Sequence, residues 1–489
     1  MPALPNLQFS QICLVCQRPN SSLNYSCGCS DEPWTKEYRI LDVICSFDSE
    51  QREQAIRGLA NYDMHHPSGI LQYIFTPHTS HYPNLPFRIG LTPLLALDNL
   101  SEDYEAKIFL KNEGDNPSGC FKDRETIMAA LHSKATGQDK AVIYSSGNAA
   151  ASAALLASEM NFGLITCVAG DTYSEKVHYI RKKGSDVIRI GGPKTTFEEG
   201  YRLFARLNED GVFSGLGYDN WSVRNPYRII GDKTTAIEII KQYEQQTGKA
   251  GAVPDYVVVP TGNGSCLAGI WRGFQELRSF GLIDTLPKMV SAAIKHASPV
   301  YKAWQKNRTH RPAVCDLDQV SESEKEIGSI ILAEEGYDSI EATKAVFESG
   351  GLAMVLTKSE MKSALIDLMT REKDTVLHHN VLPEPASIVS LASIKKMKQQ
   401  GITDSNTAVV ALLSGHGAKS KKLLLNMLRN HPDLRMVMKR IIDNKKSQLP
   451  DIKGTRFGTL VDVGKDFQEI KDAFHKLDNQ INARDLLTV

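Results

Sequence analysis

The stretch YVVVPTGNGSCLAGIWRGFQEL (256–277) decides the fold. An apolar run, YVVVP (256–260), meets a glycine-rich turn, TGNGSC (261–266), and a helical pattern follows at once. A buried strand that passes through a short turn into a helix is half of a βαβ unit. Gly262 and Gly264 leave backbone N–H groups clear of side chains, so those groups can converge on a phosphate. A glycine-rich turn alone says little; its place between strand and helix gives it meaning.

The same alternation runs outward in both directions. AKIFLKNE (106–113), AVIYS (141–145), LITCV (164–168), DVIRI (186–190) and TAVVALL (407–413) read as strands. Helical patterns fall at 121–135, 149–160, 175–184, 196–208 and 232–247. This spacing predicts parallel βαβ units with ligand sites at the strand C-termini. Residues 61–95, rich in turn formers (HHPSG, FTPHTSHYPNLP, GLTP), read as loops. No repeat of 20–50 residues is visible.

Composition narrows the class. The chain has 489 residues, 42% hydrophobic and 23% charged, which is a globular composition with ample core. Lys+Arg and Asp+Glu both number 57, so neither a dominant nucleic-acid surface nor an anionic-membrane surface is expected. The longest charge-free run, Ala141 to Ser158, is too polar and broken to span a bilayer. MPALPNLQFSQIC has no basic n-region and no apolar h-region, so no secretory signal is expected. Nine cysteines, an odd count, argue against full disulfide pairing. The expectation is a reduced, cytoplasmic enzyme.

Both ends differ from the middle. Cys13, Cys16, Cys27 and Cys29 form CLVC–x10–CGC, and four thiolates in two close pairs suit one tetrahedral zinc. The second pair is C-x-C, tighter than a zinc ribbon, so a metal-free knuckle is the other reading. Residues 430–465 read as a basic loop. Phe467, Ile470, Phe474, Leu477 and Ile481 then recur at helical spacing, to cap the chain's own core or to pack on a second subunit. The expected division is 1–50 knuckle, 51–140 and 226–425 large domain, 141–225 small domain, and 426–489 basic linker with a C-terminal helix.

Three further junctions carry unusual residues. NPSGCFKDR (116–124) ends a turn on Lys122 at a helix start. The positive end of a helix dipole disfavours a second positive charge, which suits an amine that must react uncharged. The alternative is a surface lysine paired with Asp123 or Glu125. SSGN (145–148) before an alanine-rich helix is an anion-binding turn or simply an N-cap. LLSGHG (412–417) puts Ser414 at a strand's carboxyl end, where its hydroxyl can face an aromatic nitrogen.

In this order, GLTPL (90–94), KNEGDNPSGCFKDR (111–124), SSGNAAAS (145–152), NPYRIIGDKT (225–234), PTGNGS (260–265), EPAS (384–387) and SGHGAK (414–419) resemble the fold-type II pyridoxal-phosphate enzymes, most closely threonine synthases. The resemblance covers about Gly90 to Lys419, and the cysteine knuckle also looks like that of many microbial members. It implies two open, twisted, mostly parallel sheets with helices on both faces and the cofactor between them. It implies that Lys122 forms the Schiff base, Asn148 bonds the cofactor's 3′-oxygen, and Gly262, Asn263, Gly264 and Ser265 hold its 5′-phosphate. Ser414 would face the pyridine nitrogen. Ser145, Ser146 and the Asn148 backbone would hold the substrate carboxylate.

The implied activity is conversion of O-phosphohomoserine and water to threonine and phosphate, by a homodimer. There are departures. Ala149 stands where a threonine is usual, Cys266 where an asparagine is usual, and Ile230 where a glutamate is usual. Arg228 is retained as a substrate ligand, and Arg224 is new nearby. The cofactor shell is thus intact and the substrate-phosphate shell altered. The rival readings are another β/γ-replacement or elimination with a different leaving group, and a cofactor-binding regulatory or scaffold protein.

Overall fold

The computed structural model describes residues 8–14, 16–20, 25, 27, 41–46, 48–73, 75, 76, 84–172, 174–309, 313–322, 324, 325, 333, 334, 336–448 and 456–485. Its strands, in chain order, are β1 (Gln8–Cys13), β2 (Pro19–Asn20), β3 (Leu41–Ser46), β4 (Leu94–Ala96), β5 (Lys107–Asn112), β6 (Lys140–Tyr144) and β7 (Gly163–Ala169). They continue with β8 (Asp186–Ile190), β9 (Tyr218–Asn220), β10 (Tyr256–Pro260), β11 (Lys288–Ile294), β12 (Leu352–Leu356), β13 (Ala408–Leu413) and β14 (Leu460–Val463).

Among the described residues these strands form three sheets. A small antiparallel sheet runs β2-β1-β3. A six-stranded sheet runs β12-β11-β10-β13-β5-β4, parallel except for β4. A five-stranded, fully parallel sheet runs β14-β8-β7-β6-β9. The two larger sheets are the expected α/β architecture. Their central strands, such as Ala408–Leu413, are buried along their whole length, as strands covered by helices on both faces must be.

Strand order positions the site. β10, β13 and β5 are neighbours in the six-stranded sheet, so the turns that follow them emerge side by side. Those turns are TGNGSC, SGHG and NPSGCFKDR. SSGN follows β6, a central strand of the other parallel sheet. Four junctions far apart in sequence therefore meet where the carboxyl ends of parallel strands are.

The described residues of the segment 430–465 are not the loop expected. Pro432–Gln448 is a helix, and residues 460–463 form β14, which pairs in parallel with β8. The reason is an apolar stripe hidden among basic residues: Leu434, Met438, Ile441 and Ile442 are buried while Lys439 and Arg440 between them are exposed. The last helix, Phe467–Asp485, caps the chain's own core. Ile470, Phe474, Leu477 and Ile481 are buried, with the Phe474 ring 5.1 Å from that of Phe213. Each such side chain contributes about 1.5–3 kcal/mol.

Candidate active site

The turn before Lys122 is closed by its own motif. The Asp123 carboxylate accepts from the Ser118 backbone N–H at 2.7 Å. Phe121 N–H donates to Ser414 O at 3.0 Å, and His416 N–H donates to Gly119 O at 2.8 Å, which ties this turn to SGHG. Arg124 faces inward. Its guanidinium bonds Glu113 at 2.8 Å and Glu238 at 2.6 Å, and Glu238 also accepts from Lys111 at 2.7 Å. All four side chains are fully buried. Glu238 accepts from Leu91 N–H as well, at 2.8 Å. Burial alone would raise the Glu238 carboxyl; Arg124 and Lys111 outweigh it and hold it down to about 2. This network fixes the helix Lys122–Ala135 against GLTP and the helix Arg228–Thr247.

Lys122 opens its helix with its side chain partly exposed. Its Nζ donates to Glu125 Oε1 at 2.6 Å and to Ser265 Oγ at 3.4 Å. Ser265 Oγ also donates to Glu125 Oε1, at 2.8 Å. On its other oxygen Glu125 takes the guanidinium of Arg228. So Lys122, Ser265 and Arg228 are brought together, and Glu125, unremarkable as a helical glutamate in sequence, joins them. Burial would raise its carboxyl, but Arg228 and Lys122 pull it down to about 2. Asp232 lies beside it, fully buried, and among the described residues no group donates to either of its oxygens. Burial first, then the Glu125 charge, push the Asp232 carboxyl well up.

The glycine turn is built as its sequence requires. Gly264 has φ +112°, and a Cβ there would lie 2.7 Å from Ala342 Cβ, so only glycine fits. Asn263 O accepts from Asp338 N–H at 3.1 Å, and the helix Ser265–Ser279 starts directly after. Gly262 and Asn263 keep part of their surface open.

Asn148 and Ser414 are joined by a residue to which the sequence reading gave no role. Glu384 accepts from Asn148 Nδ2 on both oxygens, at 3.0 and 2.9 Å, and from Ser414 Oγ at 3.2 Å. Ser387 Oγ lies 2.8 Å from Ser414 Oγ. Gly415 admits Glu384: a Cβ there would meet its Oε1 at 2.5 Å. Lys419 Nζ donates to Asn148 Oδ1 at 2.6 Å, which fixes that amide with its N–H groups toward Glu384. Desolvation alone would lower Lys419; Cys120, Glu384, Tyr179 and Asp123 outweigh it and raise it, so it stays an ammonium.

Ser145 and Ser146 are half-buried at the start of the helix Asn148–Glu159, and Ser145 Oγ accepts from Gly147 N–H at 3.2 Å. Arg224 stands apart. It is buried, its nearest carboxylate is Glu209 at 3.6 Å, and among the described residues no hydrogen bond joins it to the Arg228 cluster. The thiols of Cys120 and Cys266 are pushed up by burial, Cys120 to about 11. Away from the site, the sulfurs of Cys13, Cys16 and Cys27 lie within 4.8 Å of one another, and Cys29 is outside the described residues.

Known proteins resemble this chain in sequence and in fold. The sequence pattern of the family described as pyridoxal-phosphate dependent enzyme matches residues 85–415. The chain is 28% identical over 414 residues to a threonine synthase of Methanocaldococcus jannaschii, covering 84% of this chain and 92% of that one. It is 31% identical over 334 residues to a threonine synthase of Mycobacterium tuberculosis H37Rv, covering 68% and 82%. In fold it is similar to a processed threonine deaminase isoform from Solanum lycopersicum (TM-score 0.54, 18% identity, covering 79% and 95%). It is also similar to maize serine racemase (TM-score 0.51, 18% identity, covering 70% and 93%). The chain, with a lysine, an amide and a glycine-rich turn gathered at the ends of its parallel strands, belongs to the pyridoxal-phosphate dependent enzymes.

Proposed function

We propose that the chain is a lyase of the threonine synthase kind, converting O-phosphohomoserine and water to threonine and phosphate. The observation that carries the reading is the seat of Lys122, within reach of Ser265 at the glycine turn and linked through Glu125 to Arg228. Its curated relatives bear that activity's name.

The residues fit pyridoxal phosphate. A Cβ at Gly264 would strike Ala342 and Asp338, so only glycine lets this phosphate-sized turn close, and the Asn148 amide, with Lys419 on its oxygen, turns its N–H groups to Glu384 at the edge of the site. Gly262, Asn263, Gly264 and Ser265 would hold the phosphate, Asn148 the phenolic oxygen and Ser414 the ring nitrogen. When bound, the group supplies the electron sink for the pair left at Cα. The protein supplies the rest. The N–H groups at the start of Asn148–Glu159, with Ser145 and Ser146, bind the α-carboxylate. Lys122, as a free amine, takes and returns protons at Cα and Cβ. Arg228 faces the departing phosphate. The raised thiols of Cys120 and Cys266 stay protonated and take no nucleophilic part.

The test supplies purified holoenzyme with O-phosphohomoserine and follows phosphate and threonine together. Equal release of both supports the reading; neither product, with turnover of another amino acid, overturns it. Ala149 and Cys266 offer no strong donor to a phosphate, which favours as a second reading an elimination or replacement with another leaving group. O-acetylhomoserine and serine belong in the same assay. The proposal includes a homodimer in the cytoplasm, without nucleic acid or membrane. Among the described residues no helix is long and apolar enough to cross a membrane.

A structural zinc is a separate part of the proposal. Four thiolates at Zn–S of ~2.3 Å stand about 3.8 Å apart in a tetrahedron, and Cys16 Sγ and Cys27 Sγ are 3.8 Å apart. Metal analysis should find about one zinc per chain, lost in Cys13→Ser/Cys16→Ser. Zinc-free protein with an unchanged melting temperature would remove the metal from the account. A closed four-thiolate site has no open position, so turnover per folded molecule should not depend on it.

A further inference from the structure

Arg228 is the guanidinium at hand for a substrate's phosphate, yet its charge is already answered. Glu125, fully buried, holds Arg228 on one oxygen, and Lys122 and Ser265 on the other. A phosphate that approaches Arg228 therefore meets a carboxylate in place. If Glu125 stays, two anions share one guanidinium at close range in a poorly solvated pocket. If Glu125 leaves, it needs a new donor, since a buried carboxylate without one is strongly disfavoured.

A second seat exists. Asp232 sits one helical turn after Arg228 on the helix Arg228–Thr247, so the two share a face. It is fully buried beside Glu125, and among the described residues no group donates to its oxygens. Were Asp232 protonated, it would give its hydrogen bond to Glu125 and so receive the displaced carboxylate. No proton has to be transferred. Glu125 thus lies between Arg228, which it binds, and Asp232, which is its neighbour.

We propose that Glu125 is a specificity-determining residue: an internal counterion that competes with the substrate's phosphate for Arg228, so that phosphate is held loosely and released readily. This rests on the reading that the leaving group is a phosphate next to Arg228. The two ideas can nevertheless fail separately, because inorganic phosphate binding needs no turnover.

The experiment titrates the holoenzyme with inorganic phosphate by calorimetry, using wild type, Glu125→Gln and Glu125→Asp. Glu125→Gln should bind phosphate at least about tenfold more tightly, since a charge-assisted bond to a freed guanidinium is roughly twice as strong as a neutral one. Its KM for O-phosphohomoserine should fall in parallel, and its kcat should fall as phosphate release slows. Glu125→Asp, whose shorter chain loosens the pair, should lie between. Adding Arg228→Gln to Glu125→Gln should abolish the gain. If neither Glu125 variant binds phosphate more tightly than wild type, the counterion idea is wrong, whatever the enzyme turns over. If Glu125→Gln does not fold, Glu125→Asp decides alone. If wild type releases no phosphate from O-phosphohomoserine, the functional reading falls, and the titration still judges Glu125.

Discussion

Replacing Lys122 with alanine should lower turnover by about 10⁴-fold or more, because one amine both holds the cofactor and moves the protons. The melting temperature should hardly change. Lys122 keeps part of its surface open, and its ion pair with Glu125 is local to one helical turn. Borohydride treatment of wild type followed by peptide mass analysis should find the cofactor on Lys122. A second amine is close enough to make this a real test: Lys419 bonds Asn148 Oδ1 at 2.6 Å. Lys419 is held as an ammonium by the groups around it, which suits it to fix an amide and not to attack a carbonyl. Cofactor fixed on Lys419 in the wild-type protein would reassign the reactive lysine.

The second large effect is on stability. Glu238→Ala should cost about 3–5 kcal/mol, because it leaves the buried Lys111 without its counterion and Arg124 with Glu113 alone. Lys111 and Arg124 are both fully buried, and Glu238 is the carboxylate they share. That loss is a large part of a typical 5–15 kcal/mol total. The variant should melt roughly 10 °C lower at ~2–4 °C per kcal/mol, or accumulate as insoluble protein. The exposed pair Arg371–Asp103, 2.7 Å apart, is the control. Breaking it should cost less than about 1 kcal/mol. Thermal denaturation of both variants checks the contrast. A Glu238→Ala protein as stable as the control variant would mean that the network is dispensable.

Much of the fold was legible because it is written locally. DVIRI and YVVVP match their strands residue for residue, since β-branched runs between turn formers have few other uses. β11 and β12 were not read. KMVSAAI and LAMVL are diluted by alanine and methionine, and only neighbouring strands make strands of them. Pro432–Gln448 was misread because its charges outnumber its apolar stripe.

The site divides in the same way. Lys122, Asn148 and the glycine turn sit at junctions that sequence marks. Glu125 was legible as a near partner of Lys122, but its bond to Arg228 spans 103 residues, and that of Glu384 to Asn148 spans 236. Nothing in a helical FKDRE announces that its glutamate will meet an arginine of another helix. Arg224 was chosen for its nearness in sequence to Arg228. The chain turns between them, and its guanidinium ends near Glu209.

The pairing of β14 with β8 sets a timetable for the nascent chain. Val187 N–H donates to Thr459 O, and Gly191 N–H donates to Val463 O, both at 2.8 Å. Arg189 bonds Asp462 across 273 residues of sequence. Until a ribosome has made that last strand, β8 is an open sheet edge. At ~5–20 residues per second the exposure lasts roughly 14 to 55 s. An unsatisfied, mostly apolar edge for that long is a template for pairing with another chain. Expression at lower temperature, or with chaperones that shield nascent strands, should therefore raise the soluble yield of this protein more than it raises that of a relative whose corresponding sheet closes early.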